Sequence, residues 1–406
     1  VVGRIIGTLR ANQILVWICL ITLVNQLGFG MVIPVLPLFV QAFGGTAGAV
    51  GTAVALYGLG RLLFNLPMGQ LTERVGRRQV LIVGEVITVI GTLLCALAPT
   101  YGVLLIGRFV GGVGGATVLT VSQIMVADIS KRENRGRMMG IYMSFFQFAV
   151  GIGPVIGGLV ATALGPRAPF FAFAALAALA GFVGATRLIE TRGIGQQTAR
   201  AGSTGRVYRD LLTNPAFLLV GGMNFAATAA RTGGIFTLVP AIAYAVSHLP
   251  AAEVGFAITA ANLLNLATAS VAGSVTDRYG RKATILPGGL LVVVAFSLLA
   301  IQSSYPIFVM STLFWGLGAS LSNTAASAYA ADLAPAGANG PTMGVYRTLG
   351  DIGYVVGPLG VGFLADRFSA PGALFAIAGL VLLVVVPFGL FARETRRAPR
   401  TEAALG

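Results

Sequence analysis

Apolar runs of about 20 residues, the length a helix needs to cross a bilayer, follow one another along the whole chain. The first begins near Ile14 and flows into "GFGMVIPVLPLFV" without a small-residue cleavage site, so it reads as a retained span and not a signal peptide. Polar breaks divide the chain into twelve predicted helices, at 14–42, 47–72, 79–98, 101–127, 136–163, 168–188, 214–245, 252–276, 281–302, 305–331, 341–365 and 370–391. Only 10% of the residues are charged and the mean hydropathy is +0.86. A soluble domain carries about 25%. These values exclude a water-facing surface and define an all-α, polytopic membrane protein. Cys19 and Cys95 both fall inside apolar runs, so neither a disulfide nor a metal site is expected, and no cofactor is implied.

The net charge of +14 raises the question of a nucleic-acid partner, and the positions of the basic residues answer it. Of the 27 Lys and Arg, counting those in the first or last two residues of a predicted helix with the adjoining loop, 21 lie in the two tails and one set of alternate loops, two (Arg167, Arg367) in the other set, and four well inside helices. Basic residues are retained on the cytoplasmic side. Both termini are thus expected in the cytoplasm, the membrane is expected to be the plasma (inner) membrane, and the charge is a topology signal with no nucleic acid implied. The single His248 falls in an outer loop. The longest hydrophilic stretch, 189–213, carries Arg192, Arg200, Arg206 and Arg209 and divides a first bundle, 1–188, from a second, 214–406. Its latter part, "GRVYRDLLTNPAF", reads either as a short helix lying along the membrane or as a plain linker.

Sliding the chain against itself by 204 residues aligns several separate stretches at once. Gly69, Arg74, Gly76 and Arg77 fall on Gly273, Arg278, Gly280 and Arg281; "ADIS" at Ala127 meets "ADLA" at Ala331; "MGIY" at Met139 meets "MGVY" at Met343; Gly153 and Pro154 meet Gly357 and Pro358. One constant offset means one six-helix unit written twice, in parallel because six spans restore the orientation. Such pseudo-symmetry suits a transporter with a central site between its halves.

"GQLTERVGRRQV", from Gly69, resembles the loop signature of the major facilitator superfamily, G-x-x-x-D-R-x-G-R-R, and the resemblance runs over essentially the full chain. "LGFGMVIPVLP", "GRFVGGVGGA" and "GIGPVIGG" are similar to the first, fourth and fifth helix signatures of its twelve-helix drug:proton antiporters. The resemblance implies the major facilitator fold, two pseudo-symmetric six-helix bundles. It also implies a monomeric transporter, not an enzyme, that exchanges protons for a small-molecule substrate across the lipid bilayer. A lipid-translocating or passive carrier of the same fold is the alternative.

The residues carry this expectation unevenly. The charged loops, with Gly69, Glu73, Arg74, Gly76, Arg77, Arg78 and Asp128 in one half and Gly273, Asp277, Arg278, Gly280 and Arg281 in the other, read as latches whose glycines permit close approach and whose acids and arginines pair when the cytoplasmic side is closed. A topogenic turn is the other reading. The family's aspartate is Asp277 in the second copy and Glu73 in the first, where the extra methylene predicts the looser latch. Gly153, Pro154, Gly157 and Gly158, with Gly357 and Pro358, read as a bend at the interface between halves or as packing glycines; the family's upstream glycine is Ala149 here.

Arg108, in predicted helix four, is expected to face a polar cavity as a fixed charge that steers protons, or else to snorkel to the outer interface. Its repeat mate is Thr312. Arg347 and Asp351, four residues apart, share a helix face and can pair, as a protonatable couple or as a structural ion pair. In the family's fold helix two faces helix eleven, which predicts contact between Arg61 and Asp351. Glu85 reads equally as a proton carrier or as a partner of Arg77 or Arg78, and Arg231 is ambiguous. Related antiporters often place an acid in helix one where this chain has Asn25, so the proton carriers narrow to Asp351, Glu85 and Asp128. Asn25, Gln26, Gln123, Tyr142, Phe145, Phe146, Asn224, Asn262, Asn265, Trp315 and Asn323 are expected to line a large apolar cavity suited to amphipathic organic molecules, or individually to bond helix to helix.

Overall fold

The computed structural model describes residues 12–131, 134–194, 204–245, 249–301, 304–335 and 338–395; His248, Arg200 and the tail beyond 395 lie outside them. Twelve helices are long and apolar enough to cross a membrane. They are α1 (Gln13–Val32), α2 (Ala47–Val75), α3 (Arg77–Ala96), α4 (Tyr101–Asp128), α5 (Arg135–Leu164), α6 (Ala168–Arg187), α7 (Pro215–Tyr244), α8 (Ala251–Tyr279), α9 (Arg281–Ala300), α10 (Tyr305–Asp332), α11 (Asn339–Arg367) and α12 (Ala370–Phe391).

Local chemistry sets the breaks. The first predicted helix, 14–42, is interrupted: α1 ends at Val32 and a short helix resumes at Leu36–Gln41, because Pro34 and Pro37 lack the N–H that would continue the ladder. Asn12, Thr100, Asn214 and Ser369 cap α1, α4, α7 and α12 by accepting hydrogen bonds from first-turn N–H groups. Gly76 and Gly280 separate α2 from α3 and α8 from α9 at φ 111° and 106°, a conformation that L side chains rarely adopt. In the middle of α7, Ala230–Leu238 is π-helical, which the sequence did not signal. Thr204–Leu212 in the connecting segment forms a short helix that packs against α7 and α11.

Helices α1–α6 pack together as one half and α7–α12 as the other. The halves meet along two seams, α2 against α11 and α5 against α8. The seams are built alike. Gly51 packs on the Pro358 carbonyl and Gly255 on the Pro154 carbonyl; Gly362 packs on Ala47 and Gly48, and Gly158 on Ala251 and Ala252. Each of these pairs is related to its counterpart by the 204-residue offset. Small residues let backbones approach where lipid supplies no hydrophobic drive, so complementary backbone packing holds the halves. The Val155 N–H leaves its own helix and donates to Thr259 Oγ1 at 3.0 Å, across the seam.

This corrects the expectation for the fifth-helix motif. Gly158 and Pro154 do face the other half, but Gly153 and Gly157 pack on Gly30 and Met31 of α1, and Gly357 packs on Ala229 of α7, each within its own half.

On the outside, Val86 and Ile90 of α3, Leu179 and Phe182 of α6, Val294 of α9 and Leu383 and Leu390 of α12 are exposed. On a water-facing protein such a surface would aggregate; here it is the face offered to lipid. The end of the molecule carrying the α2–α3 and α8–α9 loops is termed the basic end, and the opposite one the far end. At the far end the seams are closed, and Asp366 of α11 ties them further by accepting from Thr46 Oγ1 (2.6 Å) and the Gly48 N–H (3.0 Å) at the start of α2. The Tyr244 hydroxyl adds a bond to the Pro34 carbonyl of the other half.

Candidate substrate cavity and charged latches

Between the halves lies a cavity of about 530 Å³, lined from α1, α2, α4, α5, α7, α10 and α11. Its wall combines aromatic side chains, among them Phe29, Tyr57, Phe146, Phe236, Tyr346 and Tyr354, with Arg61, Arg231, Arg347 and Asp351. Arg347 is exposed although it stands well inside a spanning helix, so the cavity is open toward the basic end.

The charged residues are held across the halves. Arg61 Nη2 of α2 lies 3.8 Å from Asp351 Oδ1 of α11, and its guanidinium stacks on Tyr354 with 5.0 Å from Cζ to the ring centre. Asn65, one turn along α2, donates to Asp351 Oδ2 at 3.4 Å and accepts from Thr120 Oγ1 at 2.8 Å. The pairing open to Arg347 and Asp351 does not form. Arg347 donates instead to Gln123 Oε1 of α4 at 2.9 Å, because Arg61 and Asn65 already hold the carboxylate from the other side.

Two further charges depart from expectation. Arg108 is buried, donates from Nε to the Ala53 carbonyl at 3.2 Å and stacks 4.5 Å over Tyr57; it borders a small apolar void, not a polar cavity. A π face and a carbonyl thus replace the water that was expected to solvate it. Thr312 makes the matching bond, to Ala257, in the other half. Glu85 does not reach Arg77 or Arg78. It turns inward from α3, is 1% exposed, and accepts from Asn25 Nδ2 at 2.9 Å, while its Oε1 has no hydrogen-bond partner. Asn25 in turn accepts from Gln26 Nε2 at 3.2 Å, and Gln26 lines the cavity.

Of the expected lining, Gln26, Phe146, Asn224 and Asn323 are in place. The others serve elsewhere. Asn25 lies behind Gln26, and Gln123 holds Arg347. Tyr142 is buried against the Leu119 carbonyl, and Phe145 packs on the first half's apolar core. Asn262 sits against Gly151 in the α5/α8 seam, and Asn265 donates to the Gly316 carbonyl. Trp315 lines a narrower void of about 30 Å³ beside the cavity. Tyr346 and Tyr354 were missed, although Met343, Arg347, Asp351 and Tyr354 recur at three- and four-residue spacing on one face of α11, a stripe legible once Arg347 and Asp351 were placed on it.

At the basic end the two latches are near copies, and both are made although the cavity is open toward that end, so their pairing does not wait on closure there. Arg77 Nη2 meets Glu73 Oε1 at 2.7 Å and its Nε meets Asp128 Oδ2 at 3.0 Å; Arg281 meets Asp277 Oδ1 at 3.3 Å and Asp332 Oδ2 at 2.9 Å. The first latch is therefore the tighter, reversing the expectation for Glu73: its carboxylate bonds Arg77 Nη2 at 2.7 Å, whereas that of Asp277 bonds Arg281 Nη1 at 3.3 Å. Arg78 donates to the Ala185 carbonyl and Arg278 stacks on Tyr279, and neither closes an acid pair among the described residues; the Arg74 carbonyl accepts from Arg192. Gly76 and Gly280 are required by their φ, whereas a Cβ at Gly69 or Gly273 would meet only Thr120 or Thr324 at ordinary distance, and no close approach is made there.

Sequence reasoning missed the residues that complete both latches. Glu190 accepts the N–H groups of Arg77 (2.9 Å) and Arg78 (3.2 Å) at the first turn of α3, and Glu394 accepts those of Arg281 (2.9 Å) and Lys282 (3.0 Å) on α9. Thr191 and Thr395 donate to Asp128 and Asp332. The signal was present: "ETR" at Glu190 and again at Glu394 obeys the same 204-residue offset. Burial works to raise the Glu190 carboxyl, but the N–H groups of Arg192, Arg77, Arg78 and Thr191 outweigh it and hold the group below its ordinary range.

Comparison with known proteins agrees with this architecture. The Major Facilitator Superfamily profile matches residues 18–250 and 223–405, and the chain belongs to that superfamily of membrane transporters. It is 26% identical over 368 residues to an uncharacterized MFS-type transporter of Methanocaldococcus jannaschii, covering 89% of this chain and 92% of the relative. It is 26% identical over 372 residues to multidrug resistance protein 2 of Bacillus subtilis, covering 88% and 90%, in keeping with the drug:proton antiporter branch. Among solved structures, a bacterial homolog of the human lysosomal transporter Spinster, inward-facing and unoccupied, superposes with a TM-score of 0.79 at 15% identity, covering 95% of this chain and 98% of the other, a likeness of fold.

Proposed function

We propose that this transporter exports hydrophobic or amphipathic small molecules in exchange for protons, as a monomer, its halves rocking so that the central cavity opens at each end in turn. The observation that carries the reading is the aromatic cavity between the halves, sealed at the far end by the glycine seams and entered from the basic end. Basic loops stay in the cytoplasm, so the basic end and both termini are assigned to the cytoplasmic face of the plasma (inner) membrane. The cavity is then open to the side from which an exporter loads, and the kinship with a multidrug resistance protein supports the substrate class.

Glu85 is the proposed proton carrier. It is buried, one of its oxygens has no partner, and the hydrogen bonds through Asn25 and Gln26 link it to the cavity wall. A passive or lipid-moving carrier drew its support from Asn25 standing where related antiporters place an acid. With Glu85 bonded to Asn25, a carboxyl reaches that place from α3, which favours coupling. The test is transport of an amphipathic dye into proteoliposomes with and without an imposed proton gradient. Gradient-driven transport that Glu85→Gln abolishes is expected; net transport unchanged when the gradient is dissipated would overturn the coupling.

A further inference from the structure

The exporter reading leaves the substrate's charge open, and the cavity wall speaks to it. Arg61, Arg231 and Arg347 line the cavity against one acid, Asp351, a formal excess of two positive charges by subtraction. A guanidinium cannot discard its proton, so this excess persists at any physiological pH. The three arginines are not equally occupied. Arg61 faces Asp351, and Arg347 donates to Gln123. Arg231 has no hydrogen-bond or ion-pair partner among the described residues; its Nε is buried and unsatisfied, and the ring of Phe236 faces the charge 5.2 Å from Cζ.

The backbone puts Arg231 there. It is the second residue of the π-helical stretch Ala230–Leu238, a rare winding frequently found at functional sites. It stands where the main cavity meets the narrower void beside Trp315. Nor does the fold itself require these charges. At the 204-residue offset, Arg61, Arg231 and Arg347 correspond to Asn265, Leu27 and Met143, and Asp351 to Gln147. The other half packs the same helices with neutral side chains, so the charges belong to the cavity's task.

We infer that the substrates are amphipathic organic anions, an aromatic or aliphatic body bearing a carboxylate or sulfonate, and that Arg231 binds the anionic group. The inference rests on the exporter reading above, since it names the substrate class of the same cavity. A carboxylate accepts two parallel N–H bonds from a guanidinium fork and supplies the counter-charge that the wall lacks. The body lies against Phe29, Phe146, Phe236 and Tyr57, and the volume suits a drug-sized ligand. An amphipathic cation would instead meet the positive excess with one acid already engaged by Arg61.

The test uses one ring with three charges: 2-naphthoate, 2-naphthylmethanol and 2-naphthylmethylammonium, titrated into the purified full chain. Naphthoate is expected to bind at least about tenfold tighter than the alcohol, with the ammonium weakest. Arg231→Gln should erase the preference and Arg231→Lys retain part of it, with melting temperature reporting that each variant is folded. The unmodified protein alone decides the class: ammonium binding as tight as naphthoate overturns it. A preference that Arg231→Gln leaves intact overturns the assignment of Arg231. A preference that survives chloride at about 0.15 M supports an organic anion, and one that vanishes there shows a small inorganic-anion site and overturns the substrate class. Binding needs no gradient, so the two readings separate. Gradient-driven export of the ammonium overturns the anion class and leaves coupled export standing, whereas naphthoate binding selectively but moving indifferently to the gradient supports the class and removes the coupling.

Discussion

Asp351 is gripped from the other half by two residues one turn apart on α2, Arg61 and Asn65, and this contact bridges the halves at the level of the cavity. Removing one partner of a part-buried ion pair leaves the other charge stranded, which costs far more than the pair contributes. Arg61→Asp and Asp351→Arg are each expected to lower transport by about tenfold or more, and the double exchange to restore most of it. Proteoliposome flux of the four proteins checks this; a double mutant no better than the worse single one would show that the contact has no part in transport. The residue scale is where the sequence was least legible. Spacing on α11 correctly put Arg347 and Asp351 on one face, yet spacing says who can meet, not who is already engaged. The partners Arg61 and Gln123 come from helices far away in sequence. Glu85 was legible as a buried acid, but its turn toward Asn25 depends on how α3 is rotated against α1, which no local pattern records.

Among the elements, the helices themselves were the most legible, because length and apolarity alone define a span, and all twelve predicted spans have a counterpart helix. The π-helical middle of α7 escaped, since no spacing of residue types marks an i→i+5 winding; there Gly233 packs on the Gly357 carbonyl of α11. The latches show how far a repeat can be pushed: their glycines and arginines align at one offset, whereas the glutamate that completes each latch lies 113 residues from it, after α6 and α12. The depressed Glu190 carboxyl gives that partner a pH signature. Its folded-state pKa lies below the unfolded value, so its contribution to stability is fully present above about 4.5 and is lost as pH falls through the folded value. Thermal melts of Glu190→Gln against the parent protein are expected to show a lower melting temperature at neutral pH and a gap that closes on acidification. A gap constant with pH would mean that the carboxylate's charge is irrelevant to the cap.

For the whole molecule, the repeat predicted two six-helix units, and the same offset that aligned the loops also relates the seams and caps. The sequence could not reveal that the two seams close at the far end, because shape between halves is decided by backbone approach at Gly51, Gly158, Gly255 and Gly362, not by residue type. Among the described residues, the ion pairs of each latch close within its own half, and the short helix Thr204–Leu212 packs on α7 and α11 of the second. The covalent link between the halves keeps two surfaces that already fit at a high effective concentration. Confinement to one membrane does much the same. Fragments 1–194 and 195–406 made as separate chains are therefore expected to copurify and to transport together, and failure of either fragment to capture the other would show that the connection shapes the halves as well as tethering them. The protein behaves, in this view, as a heterodimer whose partners happen to be translated in a single pass.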